Sequence, residues 1–287
     1  MKPAPFTYRR AQGLTEALQI LAEQGDQAKV IAGGVSLAPV LNMRLARPAM
    51  LLDIGRLPLA GIRREGDRLR IGALTRHADV VSDPLVRQLA PLLAEAGAQI
   101  GHEPIRNRGT IGGSLAHADP AAEWPVAVCA LGATVTAASL RGERGICMAE
   151  FNLGYFTTAL EPDEIITEVT VPVSPQGMGW SFLEYSRRVG DFAIVSVACG
   201  LRLQNGEVTD ARLVLGGVSD KPERLSEAES ALIGGPAGDG ALEQVARAVG
   251  DLIDPPEDLH ATAAYRRHLA RGLALRALKA ARSRGGV

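Results

Sequence analysis

Residues 107–125 read Asn-Arg-Gly-Thr-Ile-Gly-Gly-Ser-Leu-Ala-His-Ala-Asp-Pro-Ala-Ala-Glu-Trp-Pro, and they organise the interpretation of the whole chain. A glycine pair, Gly112 and Gly113, lies there between Thr110 and Ser114. Paired glycines reach torsions that are closed to other residues and let a backbone approach a ligand closely. The amides of such a loop can point at the oxygens of an anion, as they do in phosphate-binding loops.

A second glycine loop lies upstream at residues 32–36, Ala-Gly-Gly-Val-Ser. It follows the apolar strand pattern of residues 28–31 and precedes a helical pattern from Leu37 to Leu45, so its amides would face an anion at a helix start. Ser36 could cap that helix or bind a phosphate. Two such loops suggest a ligand with two phosphates, although either loop alone is equally typical of an ordinary turn. Neither has the spacing of a Rossmann or Walker motif.

Composition narrows the class of protein. The length of 287 residues and the hydrophobic content of 46% predict about two domains with sizeable cores. A net charge of −1 and only 4% aromatic residues argue against a nucleic-acid surface. The three cysteines are too few and too scattered for a disulfide framework or a cluster site, and they favour a reducing compartment. With no secretory signal and no stretch of about 20 apolar residues, the sequence predicts a soluble cytoplasmic protein.

Hydrophobic periodicity predicts an α+β chain whose first part has two units. Residues 1–55 read as a small βαβ-type unit, and residues 56–176 as a mixed α/β unit. The predicted elements are helices at 15–23, 37–45, 84–98 and 125–131, strands at 28–31, 50–54, 134–137 and 165–172, a hairpin around Gly66-Asp67, and one helical turn in the loop 148–156.

The composition changes at residues 172–179, which read as a linker. The pattern from residue 177 to 287 predicts an antiparallel sheet with helices. Its Asn205-Gly206 pair is typical of a two-residue hairpin turn with positive φ at both positions. The predicted elements are strands at 193–199, 201–203 and 211–215 and helices at 242–253 and 262–281.

Five motifs, taken in chain order, resemble the FAD-binding medium subunit of molybdenum hydroxylases of the carbon monoxide dehydrogenase and xanthine dehydrogenase type. The resemblance covers essentially the whole chain. The motifs are Ala32-Gly33-Gly34-x-Ser36-Leu37, Arg106-Asn107-x-Gly109-Thr110-Ile111-Gly112-Gly113-Ser114, Asp119-Pro120, Gly190-Asp191-Phe192-Ala193 and Ala264-Tyr265-Arg266-Arg267-His268-Leu269.

The resemblance implies an FAD-binding domain at residues 1–176 and a C-terminal α+β domain at 177–287. Both glycine loops would hold the FAD pyrophosphate through backbone amides and hydroxyls, with Ser114 where relatives usually have Asn. Glu123, where relatives have Asp, would bind a hydroxyl of the ribityl or adenosine part. A lysine that some relatives carry is absent, and Leu183 or Glu184 stands there. The implied cofactor-binding residues are Ala32, Gly33, Gly34, Val35, Ser36, Thr110, Ile111, Gly112, Gly113, Ser114, Glu123, Ile166 (adenine side) and Phe192 (flavin side).

The resemblance also implies an activity. FAD on this chain would take electrons from [2Fe-2S] clusters of a small partner subunit and pass them to an external acceptor. A large molybdopterin subunit would oxidise the substrate, in a dimer of heterotrimers. No catalytic or metal-binding residue is then expected here, and Asp119 is mainly a turn-former. Two alternatives are a self-sufficient FAD oxidoreductase and a non-enzymatic nucleotide-binding module.

Overall fold

The computed structural model describes residues 1–285, so the last two residues of the expected 177–287 region lie outside it. The chain forms three main sheets and a small two-stranded one in this part. Helix and strand content confirms the α+β class. No helix among the described residues is long and apolar enough to cross a membrane.

The first unit is a parallel sheet of strand order β1-β3-β2, as a βαβ-type unit requires. The α1 helix buries an apolar face on it, including Ala17 and Leu21. The second helix stops three residues before the predicted end at Leu45, and Arg44 beyond it has a φ of 60°. The elements are β1 (Thr7–Arg10), α1 (Leu14–Gln24), a 3-10 turn (Gly25–Gln27), β2 (Ala28–Ile31), α2 (Leu37–Asn42) and β3 (Met50–Asp53).

The second unit is an antiparallel sheet of order β4-β5-β10-β6-β7 covered by short helices. The hairpin and the strands at 134–137 and 165–172 are confirmed within one or two residues. The elements are β4 (Ile62–Glu65), β5 (Arg68–Gly72), α3 (His77–Ser82), α4 (Pro84–Leu89), α5 (Pro91–Gln99), α6 (Glu103–Arg106), α7 (Ile111–His117), α8 (Glu123–Ala130), β6 (Thr134–Ser139), β7 (Gly142–Cys147), α9 (Met148–Phe151), β8 (Asn152–Gly154), β9 (Thr157–Thr158) and β10 (Ile165–Pro172).

The single helix predicted at 84–98 is wrong, because the chain breaks into α4 and α5 there. Ala90 leaves the helical region with φ −146° and ψ 59°. Pro91 causes the break, since a proline lacks an N–H and disfavours helical torsions in the residue before it.

The C-terminal part is a sheet of order β11-β12-β13-β14 packed against helices. The turn at Asn205 and Gly206 has φ values of 53° and 82°, which confirms the predicted hairpin. The strands predicted at 193–199 and 201–203 are one continuous strand, and β11 and α10 were not predicted. The elements are β11 (Met178–Tyr185), β12 (Val195–Gln204), β13 (Glu207–Gly216), β14 (Glu223–Arg224), α10 (Ser226–Leu232), α11 (Asp239–Val249) and α12 (Ala263–Arg284).

Helix α8 joins the second unit to the C-terminal sheet. Its Trp124 is fully buried in a core that also contains Phe182, Ala198 and Val214 of that sheet. The residue before this tryptophan, Glu123, is thereby held at the junction of the two parts.

Candidate functional site

The first glycine loop, residues 32–36, presents unused hydrogen-bond donors. The backbone N–H groups of Gly33, Gly34, Val35 and Ser36 donate to no acceptor within residues 1–285. Gly34 has a φ of 74°, a left-handed conformation that favours glycine. Ser36 makes no capping hydrogen bond, so its hydroxyl is free for a ligand and the capping alternative is wrong. Successive free amides of this kind form a concave anion site.

The second glycine loop, Thr110 to Ser114, uses its amides inside the protein. The Thr110 hydroxyl caps α7, and the loop is anchored to the backbone that follows β5. The donations are Ile111 N–H to Thr75 O (3.1 Å), Gly112 N–H to Ala73 O (2.9 Å), Gly113 N–H to Thr110 Oγ1 (3.1 Å) and Ser114 N–H to Thr110 O (3.0 Å). The expectation that this loop offers its amides to a phosphate is therefore corrected. Its free groups are hydroxyls, above all that of the half-buried Ser114.

The two loops touch each other at Gly33. A Cβ built on Gly33 would strike the carbonyl oxygen of Arg108 and lie 3.0 Å from Gly109 Cα. The same Arg108 carbonyl accepts a hydrogen bond from the Arg76 guanidinium. The structure thus brings together two loops that are separated by about 75 residues of sequence, as a single ligand bound by both would require.

His77 supports the second loop from behind, a role that no sequence motif indicates. Its backbone N–H donates to Gly109 O (3.1 Å), and its Nδ1 accepts from Trp124 Nε1 (2.9 Å). Burial, with the nearby charges of Arg76 and Arg106, lowers the pKa of His77 to about 4. The imidazole is therefore neutral and structural, and it ties the loop to the start of α8.

Glu123 begins α8 and is only 4% exposed. Burial raises the pKa of its carboxyl to about 7, and the charge of Asp119 adds to the shift. Asp119 itself accepts from the Ala121 N–H at 2.9 Å, which confirms it as a turn-former ahead of Pro120. A carboxyl with this environment can serve as acceptor or donor to a ligand hydroxyl at neutral pH.

Ile166 lies buried in β10, one residue before a bulge at Thr167. The Thr167 carbonyl accepts from the Ala73 N–H at 2.9 Å, and the Ala73 carbonyl holds Gly112. Ile166 is therefore connected through one backbone chain of hydrogen bonds to the second loop.

Phe192 lies on the turn between β11 and β12 and is 57% exposed. The turn is placed by Gly190, whose φ is 88° and whose Cα packs on the His102 ring, with a built Cβ 2.6 Å from His102 Cε1. His102 precedes α6, which leads into the second loop. The turn of Phe192 thus reaches the same side of the molecule as the loop. No His, Cys, Asp and Glu cluster suited to a metal occurs within residues 1–285.

Comparison with known proteins identifies related chains over nearly the full length. The family described as the FAD binding domain in molybdopterin dehydrogenase matches residues 4–174. The CO dehydrogenase flavoprotein C-terminal domain matches residues 180–281.

Individual relatives match end to end. The 6-hydroxypseudooxynicotine dehydrogenase complex subunit alpha of Paenarthrobacter nicotinovorans is 45% identical, over 97% of this chain and 95% of that one. The glyceraldehyde dehydrogenase medium chain of Sulfolobus acidocaldarius is 39% identical, over 97% and 99%. A chain in the structure of carbon monoxide dehydrogenase from Hydrogenophaga pseudoflava superposes with a TM-score of 0.97 at 38% identity, covering both chains completely.

Proposed function

The chain belongs to the FAD-binding medium subunits of molybdenum hydroxylases, and we propose that it is the electron-transfer subunit of such an enzyme. In this role it receives electrons from [2Fe-2S] clusters of a small subunit and delivers them to an external acceptor. A large molybdopterin subunit oxidises the substrate, and the assembly is a dimer of heterotrimers. The relatives' names differ in substrate although their chains resemble this one throughout, which supports a carrier role that does not select the substrate.

The free amides of the first loop carry the proposal. An FAD pyrophosphate is a compact dianion, and the unused N–H groups of residues 33–36 are donors suited to it. Gly33 allows the loops to meet, so a ligand held by the first loop is also within the reach of the second. The residues present therefore fit the cofactor that the family binds. When bound, FAD supplies the redox chemistry, since it accepts electrons singly or in pairs.

The remaining roles follow from position. We assign the Ser36 and Ser114 hydroxyls to the pyrophosphate, and Thr110 holds Ser114 in place by capping α7. Glu123 accepts from a sugar-chain hydroxyl of FAD, and the backbone at Ile166 borders the adenine. The exposed ring of Phe192 covers one edge of the flavin. None of these side chains needs to act as a nucleophile or as a general base.

The proposal places the subunit in the cytoplasm, and the free state of Cys129, Cys147 and Cys199 supports a reducing compartment.

A ligand comparison tests the cofactor assignment. The purified chain, stripped of ligand, is titrated with FAD, FMN and ADP, with flavin absorbance and calorimetry as readouts. We expect one FAD per chain and far weaker FMN binding, because FMN lacks the second phosphate and the adenine. FMN binding as tight as that of FAD would contradict the two-loop site. Purification from the native host then tests the assembly. Substrate oxidation by the isolated chain would support the self-sufficient oxidoreductase instead.

A further inference from the structure

Glu184, which none of the roles above uses, faces the start of α8. It pairs across the sheet with Ser196 of β12, and Ser196 pairs with Gly216 of β13. Directly opposed residues project to the same face of a sheet. A Cβ built on Gly216 would lie 2.6 Å from Val126 Cγ2 of α8, so this is the face on which α8 packs. Glu184 and Glu123 therefore approach the same buried junction from opposite sides.

Two polar atoms in this junction have no partner within the described part of the chain. They are Oε2 of Glu184 and Oγ of Ser196, both fully buried. Glu123 forms no ion pair with any residue from 1 to 285. Orphaned buried polar atoms are uncommon in folded proteins, and each one calls for an explanation such as a ligand, a water or a bound proton.

The neighbouring charges that shift the pKa values of the two carboxyls are negative. Asp119, on the turn before α8, acts on Glu123, and Glu123 acts on Glu184. The guanidinium of Arg266, at this end of the sheet, is already held by the carbonyls of Ile194 and Gly217 and by Asp258. His117 faces Asp119 and Lys29. Within residues 1–285, no cation forms an ion pair with either carboxyl.

Two buried carboxylates that lack a cation cannot both ionise cheaply. Burial raises the pKa of Glu184 to about 8, and the charge of Glu123 adds to that shift. Burial likewise raises the pKa of Glu123 to about 7. Interacting groups of this kind titrate as a pair, and the first ionisation makes the second harder.

We propose that Glu123 and Glu184 share one proton at neutral pH, and that Glu184 is a positioning residue which limits the flavin-binding junction to a single negative charge. The proton leaves Glu123 free to act as the carboxylate that accepts from the FAD sugar chain. Loss of the proton places a second anion beside an anionic cofactor, which weakens its binding. This inference rests on the proposed FAD site.

Infrared spectroscopy tests the shared proton without any cofactor. Difference spectra of the ligand-free chain between about pH 6 and about pH 9 should show the carbonyl stretch of a protonated carboxyl that disappears on titration. The Glu184→Gln variant should lack that band or show it at lower pH, because one carboxyl of the pair is gone. A wild-type chain with no carboxyl titrating in this range would overturn the proposal, whatever the variant does.

FAD titrations test the effect on the site. Binding to the wild-type chain should weaken about tenfold between about pH 7 and about pH 9, as a shift of about one pKa unit implies. Glu184→Gln, which mimics the protonated residue, should bind as tightly at the lower pH and stay tight at the higher one. Glu23→Gln removes an exposed charge far from the junction and should follow the wild type. Equal pH dependence in wild type and Glu184→Gln would contradict the inference, whereas absent FAD binding in the wild type would contradict the proposed function.

Discussion

The two glycine loops share a Gly-Gly pair followed by a nearby serine, yet the protein uses their backbones in opposite ways. In Gly33-Gly34-Val35-Ser36 the amides are free and the serine caps nothing. In the loop that contains Gly112 and Gly113 every amide from 111 to 114 donates within the chain, and Thr110 caps the helix. This difference supports the proposal that the first loop binds the anion, whereas the second loop is held rigid and presents hydroxyls to it.

The difference arises from what each loop packs against. The second loop lies on the backbone around Ala73, whose carbonyl takes the Gly112 amide. The first loop follows the edge strand β2 of a separate small sheet, and its Gly33 packs against Arg108 and Gly109, just before the second loop. We therefore expect a glycine pair to bind a phosphate through its amides only where the neighbouring backbone leaves those amides unpaired. The substitutions and the pH change below should distinguish the first loop, whose amides are free, from the second loop, whose amides are paired within the protein.

Gly33→Ala should have the largest effect. The new Cβ collides with the Arg108 carbonyl, so the loops must part and the amides of the first loop lose their alignment. Losing two or more charge-assisted hydrogen bonds of about 1.5 kcal/mol each predicts FAD binding weaker by about a hundredfold. Titration with FAD measures this. Gly240→Ala, where a Cβ meets nothing within 4 Å, is the matched control. Unchanged affinity in Gly33→Ala would refute the contact between the loops as a requirement.

Acid should weaken the second loop through His77. Because the folded pKa lies near 4, below the ordinary 6.5, the folded chain binds fewer protons than the unfolded chain between these values. The contribution of neutral His77 to the free energy of unfolding is complete above about pH 6.5 and is lost as the pH falls through about 4, by about 3 kcal/mol. Denaturant unfolding across that range measures the loss.

His77→Asn is the matched variant, since its amide oxygen can still accept from Trp124. It should show a shallower fall in unfolding free energy with acid than the wild type. Parallel curves for the two proteins would mean that His77 does not support the loop in its neutral form.

Gly112→Ala should reduce stability more than it changes the ligand contacts of the first loop. Its Cβ would lie 2.6 Å from Ala73 Cβ and 2.8 Å from the Ala73 carbonyl oxygen, inside a packed core. Overpacking of this kind costs about 2 kcal/mol of unfolding free energy. Any remaining folded protein should keep more FAD affinity than Gly33→Ala does. The opposite ranking would show that the second loop is the main anion receptor.

Ser36→Ala and Thr110→Val should give small effects of opposite kind. Ser36 has no partner within residues 1–285, so its loss should weaken FAD binding by about 1 kcal/mol and change stability by less than about 0.5 kcal/mol. Thr110 caps α7 through Gly113, so its loss should cost about 1 kcal/mol of stability. FAD titrations and unfolding curves, both measured on each variant, check whether Ser36→Ala changes mainly affinity and Thr110→Val mainly stability. A Ser36→Ala chain that loses stability but not affinity would contradict the assignment.

Local pattern predicts much of the fold because short elements are bounded by local signals. Strand 28–31, the β4–β5 hairpin and the Asn205-Gly206 turn were all specified by nearby residues, and the structure confirms them. The helix at 84–98 failed where one proline outweighed a continuous apolar face. Strand β11 was missed because the pairing with β12 that defines it is tertiary.

The sequence predicts which residues belong to the site but not how they contact one another. The motifs name the two loops, but they do not reveal that Ala73 and Thr75 consume the amides of the second one. The role of His77 could not be predicted, since nothing around an isolated histidine in the sequence indicates that its ring will lie against Gly109. The role of Glu184 follows only from its cross-strand pairing with Ser196, which turns its side chain towards α8.

Amide hydrogen exchange with and without FAD tests the division between the loops most directly. We expect the amides of residues 33–36 to exchange rapidly in the ligand-free chain and to slow markedly when FAD binds. The amides of residues 111–114 should be slow in both states, because they already donate within the protein. Rapid exchange at 111–114 that slows with FAD, together with no change at 33–36, would mean that the second loop, and not the first, binds the pyrophosphate.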